Sequence, residues 1–253
     1  MRLTEHLATL GLPHTAAHLD DLVAQATKHR WSPVQLLEHV ATTEQADRAR
    51  RGLERRVARS RLGRFKPMAD FDWNWPTRID RDAVEAALRL DFLAATRNVV
   101  LVAPQGLGKT MIAQNIGHQA VLAGHSVLFV TASQLLLDLA AQESARALDR
   151  RLRHYGTRTS LLVVDEIGYL SYDSRNADLL FQVVSRRHEK KSLVLTTNLA
   201  FSDWPTIFPN AGSAIALIDR IIHHADVLSI EGDSFRRREA EQTQATRRAK
   251  RKG

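Results

Sequence analysis

Residues 103–110, APQGLGKT, have the residue types and spacing of a loop that holds phosphate. The loop follows an apolar run, NVVLV, and precedes a helix-like pattern, MIAQNIGHQAV. Glycines let such a loop turn its backbone N–H groups toward phosphate oxygens, beside the positive end of the following helix. The fingerprint G-x-x-x-x-G-K-[ST] is matched except that Ala103 stands in place of the first glycine.

We therefore predict that this loop binds the phosphates of a nucleoside triphosphate. Lys109 would hold the β- and γ-phosphates, and the hydroxyl of Thr110 would be a ligand of Mg²⁺. The alternative for this stretch is a tight strand-to-helix turn with an exposed lysine. The six residues predicted to bind the nucleotide are Gly106, Leu107, Gly108, Lys109, Thr110 and Met111.

A second segment, LLVVDE at 161–166, is an apolar run that ends in two adjacent carboxylates. Two buried acids are costly unless a cation or a polar network receives them. We predict Asp165 as a carboxylate of the Mg²⁺ site and Glu166 as the base that polarises the attacking water. Acids at the end of a strand also serve as helix N-caps, and that alternative stays open.

A third segment, LVLTTN at 193–198, is another apolar run ending in polar residues. If this strand lies between the strands that carry Ala103 and Asp165, then Thr197 and Asn198 emerge beside the γ-phosphate, where the Asn198 amide can orient water. The crevice rule for open α/β sheets places ligands at such a shared rim. An ordinary strand-to-turn boundary would end in the same way.

Two arginines are candidates for stabilising the charge that develops on the phosphate during hydrolysis. Arg220 lies in an otherwise apolar segment, ALIDRIIHH, and would act from a neighbouring subunit. It could equally extend its guanidinium to solvent. Arg236, in GDSFRRR, is a weaker candidate for sensing phosphate.

The distribution of charge indicates a polyanionic partner. The formal net charge is +8, and residues 46–66 hold nine basic side chains against two acids. The tail from 236 to 252 holds eight against two. Clustered Lys and Arg gain free energy by releasing counterions from phosphates, so we predict a polyanionic partner, with Arg51, Arg55 and Arg59 as candidate contacts to its phosphates.

The pattern of apolar residues predicts an α/β protein with a small all-helical N-terminal domain. Apolar residues recur at three and four along the first 62 residues or so, with Ser32 and Pro33 as a helix start. After Asn98, five short apolar runs alternate with helical stretches, which is typical of a parallel five-stranded sheet flanked by helices. The boundaries we predict are 1–65 for the helical domain, 66–79 for a linker, 80–236 for the α/β domain and 237–253 for a basic tail.

Several other chemistries are disfavoured. The chain of 253 residues has no cysteine, which excludes disulfides and thiolate zinc sites. No apolar stretch is long enough for a membrane span, so we expect a cytoplasmic protein. His223 and His224 are expected to point apart on a helix and lack an H-x-x-x-H partner, so no metal besides Mg²⁺ is predicted. Phe71, Trp73 and Trp75 either stack on a base or pack on their own domain.

Together these segments resemble the IstB-type transposition helper ATPases, AAA+ proteins close to the DnaC helicase loaders. The resemblance rests on residues 97–120, 161–173, 193–204 and 216–236, and it extends to the FDWNWP linker and the helical N-terminal region. It implies that 80–236 is an AAA+ ATPase domain with ATP and Mg²⁺ as cofactors. Family members usually have glycine where this chain has Ala103.

The resemblance also implies an ATP-dependent homo-oligomer that assembles on duplex DNA, deforms it and recruits or activates a partner transposase. Residues 132–155 occupy the place of the insertion that faces nucleic acid in such assemblies, although a solvated helix face would have the same composition. Two alternatives stay open: a replicative helicase loader, and a DNA-binding module that does not depend on nucleotide. The candidate phosphate contacts in this segment are Arg146, Arg150, Arg151 and Arg153.

Overall fold

The chain forms two compact units, Met1–Arg55 and Arg56–Gly253. The structure is a computed structural model, which describes residues 2–169, 171–235 and 237–238. Among the described helices, none combines the length and the apolar content that crossing a bilayer requires.

The first unit is helical, as predicted. Its last helix continues into the second unit, and it begins where the sequence indicated: the Ser32 hydroxyl accepts from the Gln35 N–H at 3.3 Å, and the Gln35 side chain accepts from the Ser32 N–H at 2.8 Å. This reciprocal pair is a capping box, and Pro33 fits the first turn because it needs no hydrogen-bond acceptor. The helices are α1 (Leu3–Thr9), α2 (Pro13–Ala17), α3 (Leu19–Lys28) and α4 (Pro33–Ser60).

The second unit contains a six-stranded sheet in the order β1-β6-β2-β5-β4-β3. Five strands are parallel, which confirms the predicted five-stranded sheet. The runs of β2, β4 and β5 are almost entirely buried, as expected for parallel strands inside a sheet, whereas β6 alternates buried and exposed residues. The sixth, β1, pairs antiparallel with β6 and was not predicted, because two residues carry no periodic signal. The strands are β1 (Arg78–Ile79), β2 (Asn98–Val102), β3 (Val127–Thr131), β4 (Leu161–Ile167), β5 (Ser192–Thr197) and β6 (Ala225–Glu231).

Seven α-helices of the described chain accompany the sheet. The helical run predicted over 132–155 is divided in two, because Ser144 starts a new helix by accepting from the Ala147 N–H at 3.2 Å. Asp80 caps α5 through the Ala83 N–H, as expected. The helices are α5 (Arg81–Leu88), α6 (Asp91–Ala94), α7 (Lys109–Leu122), α8 (Ala132–Ala140), α9 (Ala145–Arg153), α10 (Ser174–Arg187) and α11 (Ala211–Ile222). Short 3₁₀ turns cover Met68–Asp70 and Phe201–Thr206, and a π-helical turn covers His154–Arg158.

A buried arginine fixes the end of α10. Arg187 is fully buried, and its guanidinium donates to the carbonyl oxygens of Tyr155 at 2.7 Å, Ser160 at 2.9 Å and Ser192 at 2.6 Å. Burial lowers the pKa of Arg187 to about 9, so the group stays charged at neutral pH. Its donors therefore satisfy carbonyls that would otherwise be buried without partners, which holds the π-helical turn and the start of β5 against α10.

Candidate nucleotide-binding site

The loop between β2 and α7 has the backbone conformation that its glycines permit. Gly106 and Gly108 have φ angles of 83° and 85°, in the left-handed region that side chains disfavour. A Cβ at Gly106 would lie 2.2 Å from Ser234 Oγ, and one at Gly108 would lie 2.6 Å from Phe71 Cε2. Ala103, at the position of the first glycine of the fingerprint, does not have a positive φ, so alanine is accommodated there.

Lys109 is the first residue of α7, and its side chain turns back over the loop. Its ammonium Nζ donates to the carbonyl oxygens of Ala103 at 2.6 Å and Pro104 at 2.7 Å. The charge is thus held above the loop at the helix N-terminus, where an anion is also favoured by the helix dipole. A phosphate bound by the loop could replace these neutral carbonyls as the acceptor of the Lys109 ammonium. The new hydrogen bond would join two charged groups and would therefore be stronger.

Asp165, near the end of β4, is the centre of a hydroxyl network. The carboxylate is buried, and its Oδ1 accepts from the Thr110 hydroxyl at 3.2 Å and from the Thr196 hydroxyl. Thr196 Oγ1 in turn accepts from the Glu166 N–H at 2.9 Å. These hydrogen bonds connect the start of α7, after the glycine loop, to β4 and to β5, the strand that lies between β2 and β4.

Thr196 is a site residue that the sequence prediction missed, because it considered only Thr197 and Asn198 on this strand. Its role depends on the pairing of two strands: β4 and β5 pair in register from Leu161 opposite Ser192 to Val164 opposite Leu195, and this places Thr196 beside Asp165. The Thr197 hydroxyl instead accepts from the Leu199 N–H at 3.1 Å, which closes the turn after β5.

Glu166 is exposed directly after the buried Asp165, and its φ of 62° is a left-handed value that a glutamate rarely adopts. Strained backbone of this kind is concentrated at functional sites. Asn198 is half-buried at the end of β5. As the prediction for Asn198 requires, β5 lies between β2, which precedes Ala103, and β4, which contains Asp165.

A pocket of about 320 Å³ adjoins the loop, within the range of small-molecule sites. Its walls include all six residues predicted to bind nucleotide, together with the aromatic rings of Phe71, Trp75 and Phe235. Trp73 is not in the pocket wall; it packs on Phe71 and carries the Arg81 guanidinium over its ring at 4.9 Å. Of the three linker aromatics, two therefore face the pocket.

The linker is fixed to α7 by a buried asparagine. The Asn115 amide donates to the Lys66 carbonyl at 2.9 Å, and its oxygen accepts from the Met68 N–H at 3.2 Å. Because α7 begins at the phosphate loop, this anchor places the linker aromatics at the pocket.

A segment after β6 closes the other side of the pocket. The Phe235 N–H donates to the Gly106 carbonyl at 3.0 Å, and the Trp75 indole donates to the Asp233 carbonyl at 2.7 Å. The Arg238 guanidinium lies over the Trp75 ring at 4.4 Å and 3.5 Å from an Asp72 oxygen. Arg236, the weaker candidate for phosphate sensing, lies outside the described residues.

Arg220 does not face the pocket of its own chain. It lies on α11 with its guanidinium over the Phe181 ring of α10, at 4.4 Å from the ring centroid. The residue is half-buried.

The predicted DNA contacts lie on exposed or partly exposed helix surfaces. Arg55 and Arg59 are exposed on α4, whereas Arg51 is half-buried and pairs with Asp47 at 2.6 Å. On α9, the exposed arginines are Arg146, Arg150 and Arg153, and the spacing of four and three places them on one face.

Arg153 also pairs with Asp149 at 2.6 Å. Arg151, on the other side of the helix, is held by Asp138 at 2.5 Å. The same Asp138 accepts from the Tyr155 hydroxyl. Burial and this hydrogen bond raise the pKa of Tyr155 to about 12.

A mostly parallel sheet in this strand order, with a glycine loop after β2 and adjacent acids near the end of β4, defines a P-loop nucleotide-binding protein of the AAA+ class. Residues 5–243 match the family model described as IstB-like ATP binding protein. The chain belongs to this ATP-binding family of insertion-sequence proteins.

Relatives and solved structures agree with this assignment. A protein of insertion sequence IS21 from Pseudomonas aeruginosa, whose name describes it as ATP-binding, is 36% identical over 92% of this chain and 88% of its own length. A similarly named protein of IS232 from Bacillus thuringiensis subsp. berliner is 35% identical over 93% and 94%.

Among solved structures, DnaI has a TM-score of 0.54 at 18% identity, covering 67% of this chain and 92% of that one. The replication initiator DnaA bound to AMPPCP and single-stranded DNA has a TM-score of 0.51 at 17% identity, covering 65% and 52%. At these identities the likeness shows the AAA+ fold.

The residues present fit ATP and a hard divalent cation. The hydroxyl of Thr110 and the carboxylate of Asp165 are oxygen ligands of the kind that Mg²⁺ takes. The loop offers N–H groups at a helix N-terminus, and the two glycines leave it without side chains that would fill the cradle.

The hydroxyl network gives a first prediction. Thr196→Val keeps the side-chain volume but removes the hydroxyl that holds Asp165 and the Glu166 N–H. We expect the apparent affinity for Mg²⁺, measured through the cation dependence of ATP binding, to weaken by about 10- to 100-fold, as is usual when a partner of a metal ligand is lost. Thr197→Val is the matched control, and it should change the apparent affinity for Mg²⁺ by less than about threefold. Equal effects in the two variants would show that the Thr196 hydroxyl does not position Asp165.

Proposed function

We propose that the protein is a Mg²⁺-dependent ATPase that assembles as a homo-oligomer on duplex DNA, deforms it and recruits or activates a partner transposase at the target. The observation that carries the proposal is the junction of three elements at one rim: Lys109 and Thr110 on the loop, Asp165 on β4 and Thr196 on β5. The insertion-sequence context of the relatives supports a transposase as the partner. The place of action would be the bacterial cytoplasm.

The proposed division of labour follows from the position of each group. Lys109 would exchange its carbonyl partners for phosphate oxygens, and Thr110 and Asp165 would hold Mg²⁺, which neutralises charge on the phosphates when bound. Glu166, exposed at the strand end, would accept a proton from water, and Asn198 would orient that water. Phe71, Trp75 and Phe235 offer apolar ring faces suited to a purine base.

Oligomerisation is supported by the position of Arg220. The guanidinium lies over Phe181 and is not among the residues of the pocket in its own chain. It is therefore suited to the nucleotide of an adjacent subunit, where an arginine is worth about 10³- to 10⁵-fold in rate. Hydrolysis would then loosen the contact between subunits.

DNA binding is supported by the arginines of α4 and α9. Arginines on a helix surface address phosphates rather than base edges, so low sequence specificity is expected. The candidate contacts are Arg51, Arg55, Arg59, Arg146, Arg150 and Arg153.

The main test is Lys109→Ala, followed by sedimentation of the protein with duplex DNA in the presence and absence of ATP. We expect the ATP-dependent assembly to be lost, because the loop loses the charge that holds the phosphates, while salt-sensitive DNA binding without nucleotide remains. Lys28→Ala removes the same charge from an exposed position of the first unit and should leave assembly intact. Unchanged assembly by Lys109→Ala, or no response of the unaltered protein to ATP, contradicts the proposal.

Action of Arg220 on a neighbouring subunit can be tested by mixing two inactive variants. Arg220→Ala subunits keep Glu166, and Glu166→Gln subunits keep Arg220, so random mixing in equal amounts should restore about a quarter of the interfaces. We expect ATP turnover to reappear in the mixture. Glu166→Gln mixed with the double variant that lacks both groups is the control, and it should stay inactive. A mixture with no more turnover than this control would rule out action between subunits.

A further inference from the structure

Three histidines and a glutamate converge where α10 and α11 end. His188 and Glu189 directly follow α10, and His223 and His224 directly follow α11. Glu189 Oε1 lies 3.9 Å from His188 Nε2, 4.0 Å from His223 Nδ1 and 3.8 Å from His224 Nε2. The expectation that His223 and His224 point apart is therefore wrong, because both turn a ring nitrogen toward the same carboxylate oxygen.

The ring of His188 is oriented by a backbone carbonyl. Its Nδ1 lies 3.2 Å from the Arg220 carbonyl oxygen, which can only accept, so Nδ1 carries the proton. In the neutral ring this leaves the lone pair on Nε2, which faces Glu189. A histidine that donates one N–H to a carbonyl and presents the other nitrogen inward has the arrangement usual for a metal ligand.

We propose that His188, Glu189 and His223 bind a divalent transition metal, with Zn²⁺ the best match; His224 lies beside these three ligands, 3.8 Å from Glu189 Oε1. At present the two histidine nitrogens lie 3.9 and 4.0 Å from Glu189 Oε1, and all three ligand atoms lie within 4.8 Å of one another. A tetrahedral Zn²⁺ with bonds near 2.0–2.1 Å needs neighbouring ligand atoms about 3.3 Å apart, so these atoms must move closer together by roughly 0.5 to 1.5 Å. Side-chain rotation can supply this, because Glu189, His223 and His224 are exposed.

The chemistry of the donors favours this class of cation over Mg²⁺. Imidazole nitrogen suits Zn²⁺, Cu²⁺ and Ni²⁺, whereas Mg²⁺ takes oxygen ligands. The histidine site should therefore prefer a different metal ion from the one that Thr110 and Asp165 would bind at the nucleotide pocket.

Glu189 has a φ of 58°, a left-handed value at the C-terminal end of a helix where glycine or asparagine is usual. This backbone conformation costs free energy that a glycine at position 189 would not pay. It keeps the Glu189 carboxylate among the rings of His188, His223 and His224. Lys190 and Lys191 follow it, so the local charge does not by itself attract cations, and binding must come from the convergence of the ligand atoms.

The location gives the site a structural consequence. His223 lies three residues after Arg220, and His188 bonds to the Arg220 carbonyl. A metal bound by these residues would tie the end of α11 to the end of α10, and so would restrict the segment that carries Arg220.

The test is a titration of the full-length, untagged protein with Co²⁺, whose visible absorption reports tetrahedral coordination, followed by displacement with Zn²⁺. We expect one Co²⁺ per chain. His188→Ala and His223→Ala should each weaken binding by at least about 100-fold, the upper end of what loss of an outer partner costs. Glu189→Gln should weaken it as well, because the ligand charge is removed while the side-chain shape is kept.

The control is the double variant His14→Ala with His18→Ala, which removes another close pair of rings, 4.4 Å apart, in the first unit. This variant should bind Co²⁺ as the unaltered protein does. Thermal unfolding without metal, equal in all variants, shows that folding is intact. The proposal is overturned if no tetrahedral Co²⁺ band forms, or if the band survives His188→Ala and His223→Ala.

Discussion

The site depends on one backbone constraint, the left-handed conformation of Gly106 and Gly108 between β2 and α7. Only residues without a Cβ adopt these angles at low cost while Ser234 and Phe71 pack against them. The loop can therefore turn within a few residues and present N–H groups and the Lys109 ammonium at one point. The parallel sheet brings the ends of β4 and β5 to the same edge, so the carboxylate of Asp165 meets this loop.

The linker and the segment after β6 also line the pocket beside the glycine loop. The linker is anchored to α7 through Asn115, and the segment after β6 bonds to Gly106 through the Phe235 N–H. Both segments contribute aromatic rings to one pocket, although about 160 residues separate Trp75 from Phe235 in the chain. A ligand in this pocket would thus contact the linker and the C-terminal segment at once, which gives nucleotide a physical means of influencing regions outside the sheet.

Much of this arrangement could be predicted from the sequence because it is encoded locally. Periodicity gave the five parallel strands, and the fingerprint placed Lys109 and Thr110 at the start of a helix. Thr196 was missed because its role depends on the register between two strands. The burial of Arg187 was not predicted, because its partners are backbone carbonyls of a turn 32 residues earlier and of the start of the next strand. The histidine cluster was not predicted either, because it forms where the ends of α10 and α11 pack together, and the sequence spacing of the histidines does not show this contact.

The most direct test of the account is calorimetric titration of ATP with Mg²⁺ into the unaltered protein and into Gly108→Ala. We expect one ATP to bind per chain of the unaltered protein and binding to be lost in Gly108→Ala, because a Cβ at Gly108 strains the loop and meets Phe71. Gly124→Ala, which introduces a similar left-handed strain at φ 95° with no atom within 4 Å, should bind normally. Absence of heat with the unaltered protein, or equal binding by Gly108→Ala, would contradict the central claim.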